Sequence, residues 1–454
     1  MFDKLDSILT KVTADYADIR HEIKKETRIS FNGKDLGEIG SNTTAGYVLR
    51  VLNKGGYSSV AFTNAEDHGR AISTAMENAH LMANLTTQPV VFAKNEIIKD
   101  SYVPELKEDP RHVTIDEKMQ LTEKYNSLIL KSKFIATTNI NYVELIRDKH
   151  FVSTEGSKIR EELITTRISG LITSHDGTLL QNVRVAAGGS HGFSILRDRE
   201  DEFENKARIA RDLLKAEPIK GGRYNVIVNQ SLGGVFTHEA FGHFSEADII
   251  ENNRSMRQKM QIGAQLGHEI VNITDDPTQP NQLGHYKYDD EGVAAQRTQL
   301  LRNGVLVGRL HSRRTAAAFN ESINGHTVAE DYRYAPIIRM GTIFIEPGDK
   351  TFEGLLEMLG NGFYIIDAKG GQTSGENFTF GAQYGYAVNN GRIGKMVRDI
   401  NISGNLYTTL RNIQAIGNDL KLSQVGGCGK GQTNIRSCYG TPHLLISNLV
   451  IGGA

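Results

Sequence analysis

One heptapeptide constrains this chain more than any other stretch, Thr237-His238-Glu239-Ala240-Phe241-Gly242-His243. It lies in a segment, residues 231–249, whose remaining pattern predicts a helix that Ser231 would cap. Imidazole nitrogens bind Zn²⁺, and a nearby carboxylate can take a proton from the water of a hydrolytic zinc site. The related short motif H-E-x-x-H places both histidines on one helical face. Here the second histidine comes one residue later.

This spacing has a structural consequence. At about 100° per residue, five residues turn His243 roughly 140° away from His238 on an α-helix, too far for both to bind one ion. A single π turn would absorb the extra residue, and Gly242 permits the distortion. A metal site therefore predicts a locally irregular helix. The alternative is a buried helix whose histidines only form hydrogen bonds.

Catalytic zinc usually takes three protein ligands, so a third ligand has to come from elsewhere. Glu246 and Asp248 are near in sequence, and either is a candidate. Cys428, in the glycine-rich stretch of residues 426–431, is a better one because thiolate binds zinc strongly. Lys430 is expected to help keep that thiol deprotonated. The alternative is that Cys428 is an inert small residue in a turn.

Composition excludes several classes of function. The 454 residues carry 52 basic and 53 acidic side chains, so the net charge of −1 favours neither nucleic acid nor an anionic membrane. No apolar run approaches the roughly 18 residues of a membrane span, and the N-terminus does not resemble a signal peptide. The two cysteines, Cys428 and Cys438, fit a reducing, cytoplasmic compartment. Cys438, which has no polar cluster around it, is a weak ligand candidate.

Periodicity predicts an α+β fold with largely antiparallel sheet. Helices are expected at residues 2–12, 64–85, 201–216, 351–359 and 404–416, and another follows Thr114, with Met119, Tyr125 and Leu128 facing inward. Alternating patterns predict strands between them, with hairpin turns at Asn303-Gly304 and Asn390-Gly391. Pro218 and the paired glycines that follow break the pattern. We therefore expect two domains, an α+β N-terminal domain (1–218) and a largely antiparallel β catalytic domain (219–454).

Five ordered motifs resemble the TldD/PmbA family. They are His238-Glu239-Ala240-Phe241-Gly242-His243, Tyr288-Asp289-Asp290-Glu291-Gly292, Gly370-Gly371-Gln372-Thr373-Ser374-Gly375-Glu376, Gly417-Asn418-Asp419 and Cys428-Gly429-Lys430. The ending, Asn448-Leu449-Val450-Ile451-Gly452-Gly453, is also similar. The resemblance covers the catalytic half and, more loosely, the N-terminal half. It is to the TldD-like chains, which carry H-E-x-x-x-H, and not to the PmbA-like chains, which lack it.

The resemblance implies a zinc-dependent peptidase that cleaves small or unfolded peptides inside a chamber formed by two chains. By motif match, His238, His243 and Cys428 would bind zinc, and Glu239 would be the general base for a zinc-bound water acting as nucleophile. The second chain would be identical or PmbA-like. An extended peptide is expected to add as a strand to an exposed sheet edge.

Two departures from the family pattern bear on the shape of the cysteine loop and on substrate fit. Gly431-Gln432 follows Lys430 directly, whereas the family usually has one more residue between the lysine and this pair. Residues 437–442 replace a stretch that is usually rich in glycine and valine.

Other polar residues have competing interpretations. Asp289, Asp290 and Glu291 could line the pocket, but a solvated turn is favoured. Arg313 and Arg314 could bind a peptide carboxylate, although two basic residues at a helix start usually lie on the surface. Four further histidines, His268, His285, His311 and His326, are expected to be structural.

Two rival functions stay open at this point. The chain could be a catalytically silent or regulatory subunit, which the intact set of metal-binding residues argues against. It could also bind nucleic acid, since the family has been labelled a gyrase modulator, but the absence of a basic stretch interleaved with aromatics argues against that.

Overall fold

The computed structural model describes residues 1–452 and begins with a seven-stranded sheet. Its strands are β1 (Tyr16–Asn32), β2 (Asp35–Asn53), β3 (Gly56–Phe62), β4 (Lys99–Tyr102), β5 (Ile135–Ser153), β6 (Lys158–Asp176) and β7 (Leu179–Gly189). The order is β3-β2-β1-β5-β6, after which both β4 and β7 pair with β6. All pairs are antiparallel except β4 with β6.

Four helices cover this sheet, α1 (Phe2–Leu9), α2 (His68–Leu85), α3 (Ile115–Leu130) and α4 (Glu200–Asp212). Apolar side chains of α1 and α2 pack with those of β1 and β2 in one core, and those of α3 and α4 pack with β5, β6 and β7 in another. The Thr114 side chain accepts the Glu117 N–H at 3.2 Å and caps α3, as its sequence predicts.

The second half of the chain contains two larger sheets and a two-stranded one. Its strands are β8 (Glu217–Pro218), β9 (Gly222–Val228), β10 (Ile273–Asp275), β11 (Thr298–Arg302), β12 (Val305–Leu306), β13 (Thr327–Val328), β14 (Ile337–Ile338), β15 (Thr342–Ile345), β16 (Gly362–Ser374), β17 (Asn377–Asn389), β18 (Arg392–Arg398), β19 (Ile400–Asn405), β20 (Ile413–Ile416), β21 (Lys421–Leu422), β22 (Cys438–Thr441) and β23 (Leu444–Gly452).

These strands enclose the core that supports the functional site. One sheet has the order β16-β9-β23-β19-β17-β18-β8, and an additional β16–β17 pairing closes five of its strands into a ring. The other has the order β12-β11-β10-β15-β22-β21. The helices of this half are α5 (Gln230–Phe236), α6 (His243–Ser245), α7 (Ala247–Glu251), α8 (Arg254–Lys259), α9 (Arg313–Phe319), α10 (Phe352–Leu359) and α11 (Leu406–Arg411). Phe236 and Phe241 contribute to a single large core made of residues 219–451.

Six buried charged residues join the N-terminal sheet to the second half of the chain: Asp18, Arg20, Arg50, Lys149, Asp290 and Glu291. We call them the junction network. Arg50 lies 2.6 Å from Asp18 and 2.8 Å from Glu291, and Asp290 lies 3.1 Å from both Arg20 and Lys149. Burial raises the pKa of Asp290, but the three cations around it, Arg20 first, outweigh burial and lower that pKa overall.

This network corrects the expectation of a solvated turn at Asp289, Asp290 and Glu291. All three side chains are buried. Asp289 accepts the backbone N–H groups of Glu291, Val293 and Thr327, so it organises its own loop. The other two are neutralised by basic residues that come far earlier in the chain.

The α+β class with largely antiparallel sheet is confirmed, as are the hairpins at Asn303-Gly304 and Asn390-Gly391. The helix expected over residues 404–416 is wrong: α11 is shorter and lies between β19 and β20. The Asn405 side chain accepts the N–H groups of Tyr407 and Thr408, which starts the helix late. Across the described chain, no helix combines the length and apolarity needed to cross a membrane. The division at residue 218 stays a prediction.

Candidate metal centre

The helix that carries His238 is irregular, as the spacing of its histidines predicts. Regular α-helix ends at Phe236, a π turn spans Thr237–Gly242, and His243 begins the short helix α6. The cap of α5 is Asn229 and not Ser231, because the Asn229 side chain accepts the Leu232 N–H at 3.1 Å. The π turn brings two residues five apart in sequence to the same side of the helix. Their ring centroids are 5.3 Å apart.

Four side chains meet beside this turn, and we call them the metal cluster: His238, Glu239, His243 and Cys428. Each offers one ligand atom, and these atoms all lie within 4.8 Å of one another. The His243 Nε2 atom is 3.4 Å from the Cys428 sulfur and 3.6 Å from a Glu239 oxygen. The structure therefore brings together the four residues that the sequence singles out.

A short loop positions Cys428. Its backbone N–H and C=O pair with those of Ile435, at 3.0 and 3.1 Å, so the loop folds back on itself. Gly427 has φ +139°, and a Cβ there would lie 2.0 Å from the Asn434 side-chain oxygen. Only glycine meets both conditions without strain.

The His238 ring shows that the cluster fits a metal ion. It is 2% exposed, and among residues 1–452 neither of its nitrogens has a hydrogen-bond partner. Burial lowers its pKa to about 3, so the imidazole is neutral and able to donate a lone pair. Buried polar atoms without partners are costly, and imidazole with a cysteine sulfur is a donor set that suits zinc. The residues present fit Zn²⁺.

Glu246 orients His243. Its carboxylate lies 3.0 Å from the His243 Nδ1 atom, so an N–H at that position donates to Glu246 and leaves Nε2 facing the cluster. Burial raises the pKa of Glu246, but the hydrogen bond from His243 and the charge of Lys430 outweigh it and lower that pKa to about 2. Glu246, one of the candidate ligands, thus contacts the opposite nitrogen from the one in the cluster.

Lys430 does not have the role that its position in the sequence suggests. Its ammonium donates to Glu246 at 3.0 Å and to both oxygens of Asp248 at 2.9 Å. Two carboxylates hold it more strongly than a sulfur two residues away. Lys430 therefore supports the residue that orients His243, and Asp248, the other candidate ligand, supports Lys430.

Glu239 is a partly buried member of the metal cluster. Burial raises the pKa of its carboxyl group, against the opposing charges of His243 and Arg339. A carboxyl group with a raised pKa holds a proton more readily. The Glu239 side chain is 34% exposed and lines an open cleft.

The cleft has a volume of about 530 Å³ and runs between the two halves of the chain. His238 and Glu239 line one part of it, and Arg184 and Lys206 come from the N-terminal half. Strand β16 contributes Asp367, Ala368, Gly370 and Gly371. A space of this size holds several residues of an extended peptide.

The other candidate residues lie outside the cluster. Arg313 is buried and its guanidinium bonds to both oxygens of Glu155, so the surface expectation is wrong for it. Arg314 is partly exposed and pairs with Glu251. Cys438 is buried, and burial raises its pKa to about 12.

The four remaining histidines make ordinary structural contacts. The ring of His326 lies against Asp275 and Asn324, that of His311 against Glu321 and Thr315, and that of His285 against the Pro277 carbonyl and Tyr102. His268 accepts the Ile270 N–H. The structural interpretation therefore fits all four.

Sequence reasoning missed one neighbour of the cluster, Tyr439. Its ring centroid lies 5.4 Å from that of His238, and it lines the same cleft. Gly234 makes room for this ring, because a Cβ at that position would lie 2.8 Å from it. The only sequence signal for it is the departure from the family pattern at residues 437–442, which by itself indicates a difference in loop shape.

Comparison with known sequences gives consistent matches along the chain. Models of the PmbA/TldA metallopeptidase family match residues 17–83 as domain 1, residues 108–216 as the central domain and residues 221–453 as the C-terminal domain. A metalloprotease from Synechocystis sp. is 32% identical over 443 residues, which cover 97% of this chain and 95% of that protein. A zinc metalloprotease TldD homolog from Saccharolobus solfataricus is 28% identical over 445 residues, 97% of each chain.

Solved structures share the fold. A Thermotoga maritima protein described as a proposed modulator of a DNA gyrase superposes with a TM-score of 0.83 and 22% identity, covering 100% of both chains. TldE from Thermococcus kodakarensis superposes with a TM-score of 0.78 and 16% identity, again over 100% of both chains.

Proposed function

Because the chain belongs to the PmbA/TldD family of metallopeptidases, we propose that it is a zinc-dependent peptidase with His238, His243 and Cys428 as ligands. The observation that carries this proposal is the metal cluster itself, four ligand atoms within 4.8 Å of one another at the wall of an open cleft. A silent subunit would need no such convergence of ligand atoms around a buried histidine whose two nitrogens have no partner within residues 1–452.

The chemistry follows from the positions of the chain's own residues. Zinc bound in the cluster would supply a water of lowered pKa and would polarise the scissile carbonyl. Glu239, the general base, accepts a proton from the attacking water and returns it to the leaving amine. Glu246 holds the His243 ring in one orientation throughout, and the buried His238 ring stays neutral.

Small or unfolded peptides are the proposed substrates. Strand β16 pairs with β9 only over Phe363–Ile365, so from Ile366 onward it pairs on one side only, with β17. Ala368, Gly370 and Gly371 of this stretch line the cleft. A peptide that pairs with this edge would be recognised through its main chain, with little dependence on sequence. In folded proteins most strands are already paired within their own sheets.

We further propose a cytoplasmic enzyme that works as a dimer, with an identical chain or with a PmbA-like partner. The two free cysteines support the compartment. The family resemblance supports the pairing.

Metal content per chain tests the proposal, and the two cysteines provide a matched pair. Mass spectrometry of the wild type is expected to give about one zinc per chain. Cys428→Ala should lose most of it, and Cys438→Ala should keep it, because Cys438 lies outside the cluster. The wild type should also cleave unfolded peptides. A chain that takes up no zinc even after reloading would instead be a silent subunit, and cleavage of folded proteins with peptides ignored would exclude the strand-pairing substrate.

A further inference from the structure

Within residues 1–452, two cations of the cleft, Arg184 and Lys421, form no ion pair with a carboxylate, and Arg184 is the one that carries a guanidinium. Six charged side chains line it: Arg184, Glu202, Lys206, Glu239, Asp367 and Lys421. Lys206 forms an ion pair with Asp367. Burial raises the pKa of Glu202, whose charge is opposed by Arg199, Lys206 and Lys421. Within residues 1–452, no carboxylate oxygen lies within 4.0 Å of the Arg184 guanidinium.

The backbone of Arg184 makes contacts with both halves of the chain. Its Cα pairs with Leu171 of the neighbouring strand β6, and its N–H donates to the Gln383 side-chain oxygen at 2.8 Å. Gln383 is 4% exposed and also donates to the Ala368 carbonyl on β16 at 3.4 Å. The N-terminal sheet and the β16–β17 hairpin therefore fix this position together, while the Arg184 side chain stays exposed.

Arg184 lines the same cleft as His238 and Glu239 of the metal cluster. Tyr439, whose ring centroid lies 5.4 Å from that of His238, lines it too. A peptide that occupies this cleft can therefore reach the proposed base and the Arg184 guanidinium together.

We propose that Arg184 binds a carboxylate of the peptide substrate and makes the enzyme favour peptides with an acid close to the scissile bond. The proposal rests on the peptidase function proposed above and specifies its substrates. Guanidinium is permanently charged and presents two parallel N–H groups that match a carboxylate. The carboxylate is either the C-terminus of the peptide or an Asp or Glu side chain.

Peptide binding to the zinc-loaded Glu239→Gln protein tests this without turnover. Three fluorescent peptides of one sequence serve as probes. The first has a free C-terminus and no acidic side chain, the second is amidated and carries one Glu, and the third is amidated with Gln in that place. We expect at least one acidic peptide to bind about three- to tenfold more tightly than the neutral one. Preference for the first identifies the terminal carboxylate, and preference for the second identifies a side chain.

The preference should disappear when Arg184→Gln is added. Arg392→Gln is the matched control, because Arg392 is also an exposed strand arginine but lies outside the cleft, and it should keep the preference. Equal binding of all three peptides, or a preference that survives Arg184→Gln, would overturn the proposal. Failure of the peptidase proposal is a separate result: zinc-loaded protein with Glu239 intact would hydrolyse none of the three.

Discussion

The junction network and the metal cluster are both groups of converging polar side chains, but they differ in how far their members pair with one another. Each of the six charges in the junction network lies within 3.1 Å of an opposite charge. In the metal cluster, both His238 nitrogens lack partners within residues 1–452. The Cys428 sulfur contacts the His243 Nε2 atom, and Glu246 contacts the other nitrogen of the same ring. Where buried charges are paired, removal of one partner is strongly destabilising because the other charge is left buried and unpaired. Buried donors that converge without pairing point to a ligand.

The comparison predicts that the two regions fail in different ways, and the largest expected effect is on catalysis. Glu239→Gln should lower kcat/KM for an unfolded peptide about 10²- to 10⁴-fold, because the amide cannot accept the proton. Zinc content and thermal stability should stay near those of the wild type, since Glu239 is partly exposed and is not one of the proposed ligands. Steady-state kinetics and metal analysis of the same preparation measure both.

Glu202→Gln is the control for that experiment. It removes a carboxylate from the same cleft but outside the metal cluster, so its effect on kcat/KM should be far smaller. A Glu239→Gln protein with undiminished activity would rule out its role as base.

The junction network should fail in stability. Arg50→Met leaves Asp18 and Glu291 buried without their cation and should cost about 3–5 kcal/mol of unfolding free energy. Chemical unfolding measures the loss. Folded Arg50→Met protein should still bind zinc, because the network does not touch the metal cluster.

The exposed pair of Arg28 and Glu26 on β1 provides the contrast. Arg28 is 54% exposed, so Arg28→Met should cost about 0–1 kcal/mol. If both arginine variants were equally stable, the junction network would not be what holds the two halves together.

The two regions also differ in how well the sequence predicts them. The five-residue spacing of His238 and His243 required a π turn if both were to face one ion, and the turn is present. The buried state of Asp290 and Glu291 could not be predicted, because the partners Lys149 and Arg50 lie 141 and 241 residues away in sequence. A local motif specifies local geometry, but long-range pairing depends on how the sheets dock. Ligation by Cys428 remains a prediction, which rests on the affinity of thiolate for zinc and on the match to the family motif.

A smaller effect should come from the residue that links the metal cluster to its support. Glu246→Gln keeps an oxygen near His243 but loses the charge that favours its Nδ1–H form. Zinc affinity should fall about 10- to 100-fold, measured by competition with a chelator. Asp248→Asn is the matched control. It removes a carboxylate that contacts Lys430 and not His243, so zinc affinity should fall less. Equal losses in the two variants would mean that the whole charge group acts on the metal, and not the single contact with His243.

The smallest expected effect tests whether the metal cluster is held by its helix alone or by several elements at once. Asn229 caps α5 and also bonds to Asp367, its side-chain oxygen accepting the Asp367 N–H and its amide donating to the carboxylate, both at 3.0 Å. Asn229→Ala should cost about 1 kcal/mol of stability, and Asn229→Ser, which can still cap, should cost less. Zinc affinity should hold in both, because the core around Phe241 and the contact between Glu246 and His243 fix the cluster independently of the cap. If the alanine variant lost zinc affinity and the serine variant kept it, the helix cap would set the position of the two histidines. The geometry of the metal cluster would then depend on a single hydrogen bond at the start of α5.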